Sequence, residues 1–545
     1  MLNTKLLSKA NSLVEAKEFK EAERIYLDLL AKNPESDIIQ AFLGRLYIRM
    51  RKYKGAERIL EKAYNKRKTA PTVAALAFCK FKMRKFDDAV ILYEELFKYD
   101  PDSIKIYDKI IEAFRELEMC SFGHAYAQKL FLKHPESEIA HVRLTQSYLD
   151  IGDILKAEEM CAKTIQKFPR SGAAWIIAGN LQEYRYCNEE LAQDCYQTAI
   201  DYGSASAYYH LGVSYAKVGK NKEAEEAYKN AIEKLPEEDY PKVGLGMLYL
   251  SERKVKEGYE LFMLRDKSPE IRTLKNQWDG NNTDGTLLLY CDQGFGDHIQ
   301  FIRYLSVLKN YAKTIKVHTR ESLLNLFTRS YNKNDYPNVE FYTELEKVGE
   351  YDTFVLSTDL PYYLKLDFEN IPHSEGYLVS DSEKENYFRE IYFNTDKLKV
   401  GLCWKAGGIG LRSAINRTIN IDYLKKLFDL KGIEYYSVQL ADIFGGCGKY
   451  PITDLKDEIK TFDDTAAIIK NLDVIISADT SVLHLGGALG KKTFGLLPYC
   501  ADWRWFDNDK TTEWYSSVEL IKQQDRQDWF IEADILCDKL KDITK

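Results

Sequence analysis

The run Val474-Ile475-Ile476-Ser477-Ala478-Asp479-Thr480-Ser481-Val482-Leu483-His484-Leu485-Gly486-Gly487-Ala488-Leu489-Gly490 decides how this chain is read. Its first residues are apolar and β-branched, as in a buried strand. Its last are small and apolar, as in a helix packed closely on a sheet. Between them, Asp479-Thr480-Ser481 opens the helix, so unpaired backbone N–H groups converge on one spot that attracts an anion. Thr480 and Ser481 add hydroxyls, and His484 lies one turn further along. Gly486 and Gly487 permit close contact between the helix and the sheet or a ligand. The plainer reading is an N-cap followed by a packed histidine.

Working outward, strand-like runs alternate with helical patterns through the second half of the chain. They are Thr286 to Cys291, Thr314 to Thr319, Val339 to Thr343 and Thr353 to Leu356, then Lys399 to Trp404, Glu434 to Val438, Val474 to Ser477 and Thr493 to Leu497. A helix from Gly296 to Tyr311 follows the first run. Such alternation implies parallel sheets with helices on both faces. The two sets divide near 380–398, which predicts two Rossmann-like lobes facing a cleft, with ligands at the carboxyl ends of the strands.

Two more turns lie at such ends. In Gln293-Gly294-Phe295-Gly296-Asp297-His298, the glycines allow a tight turn and Asp297 begins a helix. Asp297 reads either as a helix cap or as a carboxylate facing the cleft. The spacing is not that of a dinucleotide fingerprint. Lys405 to Ile419 is basic and glycine-rich, with Lys405, Arg412 and Arg417 as its cations. It reads as a solvated loop or as a cradle for a leaving diphosphate. Asp463 and Asp464 open an apparent helix and read as caps. Trp503-Arg504-Trp505 reads as core aromatics, with stacking on a donor as the alternative and an Asp502–Arg504 pair across the domain closure.

Residues 1–270 differ in kind. A small residue recurs at Ala22, Ala56, Ala89, Gly123, Ala157, Ala192, Ala224 and Gly258, a period near 34. Prolines mark unit ends at 34, 101, 135, 169 and 236, and glycines recur at 44, 179, 212 and 246. Each unit reads as two antiparallel helices that cannot bury their apolar face alone, so units stack and leave a concave groove. The pattern resembles the tetratricopeptide repeat, in seven or eight units. That resemblance implies a groove for a protein or peptide, or else a rigid spacer. A polar, turn-rich linker at 271–285 leads to an amino-terminal lobe at 286–395 and a carboxyl-terminal lobe at 396–545.

Composition limits the options. A net charge of −7 without a basic run argues against a general nucleic-acid binder. Ten cysteines without zinc or CxxC spacing read as reduced thiols, hence a cytoplasmic protein. No signal peptide and no membrane span are expected.

The ordered set Leu287 to Leu305, Val400 to Trp404, Asn416 to Ile419, Phe462 to Ala467, Asp473 to Gly490 and Leu497 to Trp505 resembles the heptosyltransferase-type glycosyltransferases of family nine. It is most similar to bacterial proteins that fuse tetratricopeptide repeats to such a domain. The resemblance implies a GT-B fold and transfer of a sugar from a nucleotide-sugar donor. The nucleotide-sugar is a substrate, so no cofactor and no metal is implied. It assigns Asp297 as the base, Gln293, Gly294 and Gly296 to the acceptor-side loop, and Asp479, Thr480, Ser481 and His484 to the donor's sugar and diphosphate, with Gly486 and Gly487 beside them. The basic-loop candidates are Lys405, Arg412 and Arg417, in a loop less polar than its relatives. The implied reaction inverts the anomeric centre, with a protein acceptor docked on the repeats. The rivals are a non-catalytic repeat scaffold with a degenerate donor-binding domain, and a sugar-nucleotide epimerase.

Overall fold

The computed structural model describes residues 4–265, 267–268, 270–407, 417–440, 448–506, 510–526 and 528–544. The chain packs as two compact units: Met1–His210 with Asp266–Thr273, and Leu211–Arg265 with Leu274–Lys545. The helices from Asn221 onward therefore group with the α/β region and not with the repeats before them.

From Thr4–Glu15 to Val255–Phe262 the described residues are helical throughout, in pairs joined by short turns. The recurring small residues all fall on the second helix of a pair, and the alanines among them (22, 56, 89, 157, 192 and 224) are fully buried. The recurring glycines fall on the first helix, where the second crosses it. A Cβ on Gly44 would meet Leu60 Cγ at 2.5 Å, and one on Gly179 would meet the Tyr196 ring at 2.4 Å.

Two further periodic devices hold these units. The turn between paired helices contains a left-handed residue at Lys17, Arg51, Arg84, Glu118, Gly152, Cys187, Gly219 and Arg253. The carbonyls of four unit-ending prolines, Pro34, Pro135, Pro169 and Pro236, each accept a hydrogen bond from the side chain six residues on, whereas that of Pro101 accepts from Lys133 Nζ in the next unit. The four donors six residues on are Gln40 Nε2, His141 Nε2 and Trp175 Nε1, all at 2.9 Å, and Lys242 Nζ at 3.3 Å. The geometry recurs while the donor changes chemistry. A carbonyl near a helix end is satisfied by any side chain that reaches it.

The α/β region contains two all-parallel sheets among the described residues. Strands β1 (Thr283–Tyr290), β2 (Ala312–His318), β3 (Val339–Tyr342) and β4 (Thr353–Leu356) lie in the order β3-β2-β1-β4. Strands β5 (Leu398–Cys403), β6 (Ile433–Ser437), β7 (Ile452–Asp454), β8 (Val474–Ala478), β9 (Thr493–Leu497) and β10 (Val518–Lys522) lie in the order β10-β9-β8-β5-β6-β7. Each sheet is doubly wound, with its order reversing between β1 and β4 and between β5 and β8.

β7 and β10 were not expected from the sequence. The single helix expected from Gly296 to Tyr311 is instead Phe295–Phe301, a 3-10 turn at Ile302–Tyr304 and Leu305–Leu308. The six-stranded sheet is buried on both faces, because alternate residues of one strand belong to different cores. Val400 and Leu402 pack with Val474, Ile476 and Leu536, while Cys403 and Ile475 face the core shared with β1 and the Ser481–Ala488 helix. That core extends to the last repeat helix, whose Tyr259 and Phe262 rings meet Trp503 edge-on at 6.4 and 5.8 Å.

Candidate functional site

The two reversal points differ in what fills them. Between the ends of β1 and β4, Asp292 and Asp359 are both buried. Arg265, just beyond the last repeat helix, inserts its guanidinium there. Nη2 lies 2.9 Å from Asp292 Oδ2, Nη1 lies 2.6 Å from Asp359 Oδ1, and Thr358 accepts a further bond. Burial works against the Arg265 charge, yet Asp359 and Asp292 hold it protonated well above its ordinary range. The Asp292 carboxylate also accepts from Ser357 and Thr358. This crevice is occupied by the chain itself, and nothing in the local sequence signals it, because the partners lie 27 and 94 residues from Arg265.

Between β5 and β8 lie the ends of both strands with Lys405, Asp479 and Thr480. β8 is buried along its length, and Asp479 follows it. Thr480 caps the Ser481–Ala488 helix, its hydroxyl accepting from Val482 N at 3.2 Å. Arg417 Nη1 donates to the Asp479 carbonyl at 2.9 Å. Burial raises the Asp479 carboxyl pKa and Asp502 adds to this, against Arg504 and Arg417. Lys405 follows β5, and its N–H, with that of Trp404, donates to Gln439 Oε1 at 3.2 Å. Arg412 lies outside the described residues.

His484 is buried. Its ring stacks on Trp505 with centroids 5.3 Å apart, and Nδ1 lies 3.0 Å from the Tyr515 hydroxyl. Burial, then Arg504, Arg303 and Arg417, push its pKa well below 6.5, so the imidazole is neutral at pH 7. Gly486 and Gly487 serve packing: a Cβ on the first would meet Thr493 Oγ1 at 2.5 Å, and one on the second the Tyr515 ring at 2.4 Å.

The amino-terminal turn meets this site directly. Gln293 is left-handed (φ 66°), and its carbonyl accepts from Arg320 Nη2 at 2.8 Å. Gly294 N donates to Asp297 Oδ2 at 3.0 Å, which is the capping geometry. Gly296 lies against His484, where a Cβ would come within 2.8 Å of Cδ2. Asp297 Oδ1 lies 2.9 Å from Arg504 Nη1. Asp297 is thus both a cap and a group facing the opposite lobe.

Arg504 joins the halves. Its Nε donates to Asp502 Oδ1 at 2.9 Å and its Nη1 to Gln300 Oε1 at 3.1 Å. The Asp502–Arg504 pair expected across the closure lies within one loop; the partner across the cleft is Asp297. Burial opposes the Arg504 charge, but Asp502, Asp297 and Asp479 outweigh it and keep the guanidinium protonated. Trp503 and Trp505 are buried, and one face of Trp505 is taken by His484.

Of the two carboxylates at 463 and 464, only Asp464 caps its helix, accepting from Thr461 N at 2.9 Å. Asp463 is buried against Arg329 and Lys384, an ion-pair group joining the two lobes. Sequence reasoning also missed Arg303, which is fully buried. It donates to the Trp514 carbonyl at 2.6 Å and the Tyr377 hydroxyl at 3.1 Å, with Tyr377 and Tyr515 rings 4.5 and 4.6 Å away. The positive charges near His484 are therefore partly set by residues that carry no motif. Among the described residues, no group of three or more His, Cys, Asp or Glu is arranged to hold a metal ion, and no helix is long and apolar enough to cross a membrane.

Residues 13–77 and 205–238 match tetratricopeptide repeat families, so the chain carries these repeats. Similar solved structures include a tetratricopeptide repeat protein from Parabacteroides merdae, 15% identical, covering 45% of this chain and 98% of that one with a TM-score of 0.41. Yeast Tom70 is 16% identical, with 47% and 57% covered and a TM-score of 0.38. The C-terminal part of a TPR repeat-containing protein from Cytophaga hutchinsonii is 17% identical, with 44% and 98% covered and a TM-score of 0.32. No curated protein matches the chain.

Proposed function

We propose that the α/β region is a GT-B glycosyltransferase of two Rossmann-like lobes, and that the repeats dock its protein acceptor. The observation that carries the reading is that the Asp297 turn and the Asp479–His484 turn meet at one point, through Gly296 against His484 and Asp297 against Arg504. A carboxylate then faces a helix N-terminus rich in cationic neighbours, which is what displacement of a nucleotide diphosphate requires.

In the reaction, an acceptor hydroxyl oxygen attacks the anomeric carbon and Asp297 takes its proton. The bond from that carbon to the diphosphate oxygen breaks, and the diphosphate leaves with the electron pair. N–H groups at Thr480 and Ser481, together with Arg417 and Lys405, receive the charge. The neutral His484 contributes a hydrogen bond and no charge. Attack opposite the leaving group inverts the anomeric centre. The nucleotide-sugar is consumed as a substrate, and no metal or cofactor takes part. The repeats supply a groove for a protein or peptide partner. One cavity of about 530 Å³ in them is lined by Phe78, Tyr93, Leu96, Tyr99 and Ile106, with Lys109 beside them.

A scaffold that binds donor without turnover is the second reading, favoured by the ion pairing of Asp297 to Arg504. Incubation of the purified protein with a panel of nucleotide-sugars, with and without Asp297→Ala, separates the two. Release of a nucleotide diphosphate by the parent and not by the variant supports transfer. Donor binding without release leaves the scaffold, and no donor binding sinks both.

A further inference from the structure

Arg504 has more hydrogen-bonding capacity than its protein partners use. A guanidinium carries five N–H donors in a planar fork. In Arg504, Nε donates to Asp502 and Nη1 to Gln300. Nη1 also meets Asp297 Oδ1 as an ion pair, in which that buried oxygen accepts no hydrogen bond from any described residue. Nη2 makes no hydrogen bond to any described residue. The side chain is only 12% exposed, and it is fixed at its base because the Arg504 carbonyl accepts from Trp514 Nε1 at 2.8 Å. The free edge belongs to a buried, preorganised cation beside Asp479 and His484, where the donor's anionic group is expected.

Resting on the glycosyltransferase reading, we propose that Arg504 is a ligand of the donor diphosphate, and that the diphosphate competes with Asp297 for it. A diphosphate offers a guanidinium a bidentate partner, which a single oxygen of Asp297 does not. When the diphosphate draws Arg504 to itself, Asp297 Oδ1 is released from its ion pair and becomes available as a base. Asp502 stays on Nε, so the guanidinium is never left uncompensated during the exchange. Two consequences follow from the same atoms. Donor binds before acceptor activation, and loss of the Asp297 charge favours donor binding. A structural strut would behave in the opposite way, since removing one half of a buried pair loosens whatever the pair supports.

The test is isothermal calorimetry of the full chain with UDP, GDP, ADP, CDP and TDP, for the parent and for Asp297→Asn. Asparagine keeps an oxygen for the Gly294 N–H and removes the charge. Asp297→Ser gives a second variant that also retains the cap acceptor. The expected result is about tenfold tighter binding of the cognate diphosphate by both variants, a gain abolished when Arg504→Met is added. Binding by the variants where the parent binds none supports the proposal equally. Parent-like or weaker binding by the variants, at unchanged melting temperature, overturns the Arg504 assignment and leaves the transferase reading in place. Absence of binding by every form overturns both.

Discussion

The repeats and the α/β region are stabilised by different kinds of contact. In the repeats, each important contact spans a few turns of chain and recurs. Gly44 meets Leu60, and Gly179 meets Tyr196, within one helix pair. In the α/β region, each important contact occurs once and joins distant segments. Arg265 reaches Asp359 across 94 residues, and Arg303 reaches Trp514 across 211. A role performed once by a buried charge has no substitute, whereas a role performed in every unit is a small increment each time. Substitutions should therefore be costly in the second region and mild in the first.

The largest effect is expected at Arg265. Arg265→Met keeps the length of the side chain and leaves Asp292 and Asp359 buried without their cation. Removing one partner of such a group costs roughly 3–5 kcal/mol. Urea denaturation of the full chain, followed by tryptophan fluorescence, should show the α/β transition moved to much lower urea. A shift worth less than about 1 kcal/mol would mean that the hydroxyls of Ser357 and Thr358 suffice, and the contrast between the regions would weaken.

The histidines give the next effect, and they occupy matching places in the two lobes. His298 and His484 both lie on the helix that follows a reversal-point strand, and both are buried. Burial, helped by Arg320, brings His298 to about 3. His484 is likewise held well below its ordinary value. Both folded pKa values lie below the unfolded one near 6.5, so unfolding takes up protons as the pH drops under that value. The stability is fully present above about pH 6.5 and falls towards the folded pKa, by up to ~1.4 kcal/mol per pH unit for each histidine. Denaturation midpoints at pH 5 and pH 7 should differ less in His298→Gln than in the parent. An unchanged difference would show that His298 is charged in the native protein.

What could be read from the residues follows the same divide. The repeats were legible because a small residue every 34 positions has a local steric cause. The β1, β8 and β9 strands were legible because both faces are buried and the apolar runs are continuous. β7 has three residues at a sheet edge. β10 is also an edge strand, and its Glu519 and Lys522 interrupt the apolar pattern. At the candidate site, Asp297, Asp479 and His484 were singled out from short motifs. Of the charges that condition them, Arg417 reads as a basic-loop cation and Arg504 only as a partner of Asp502, while Arg303, in an apolar helical run, is not singled out. The importance of Arg303 and Arg504 comes from three-dimensional proximity alone.

The smallest expected effect tests the repeat side of the contrast. Gly152 occupies the left-handed turn position with φ 80°, and an added Cβ would meet no heavy atom within 4 Å. Gly152→Ala therefore changes backbone preference and nothing else. The left-handed conformation costs a non-glycine residue about 1–2 kcal/mol, and the reduced freedom of the unfolded chain returns about 0.4–1 kcal/mol. The net loss should be about 0.5–1 kcal/mol. Glu118 holds the equivalent place in the preceding unit at φ 59° and is exposed, so Glu118→Gly should gain a similar amount. Urea denaturation followed by helical circular dichroism measures both. Opposite signs of similar size would show that each turn acts within its own unit. A loss above about 2 kcal/mol from Gly152→Ala would instead mean that one turn is coupled to packing beyond its neighbours, as Arg265 is in the α/β region.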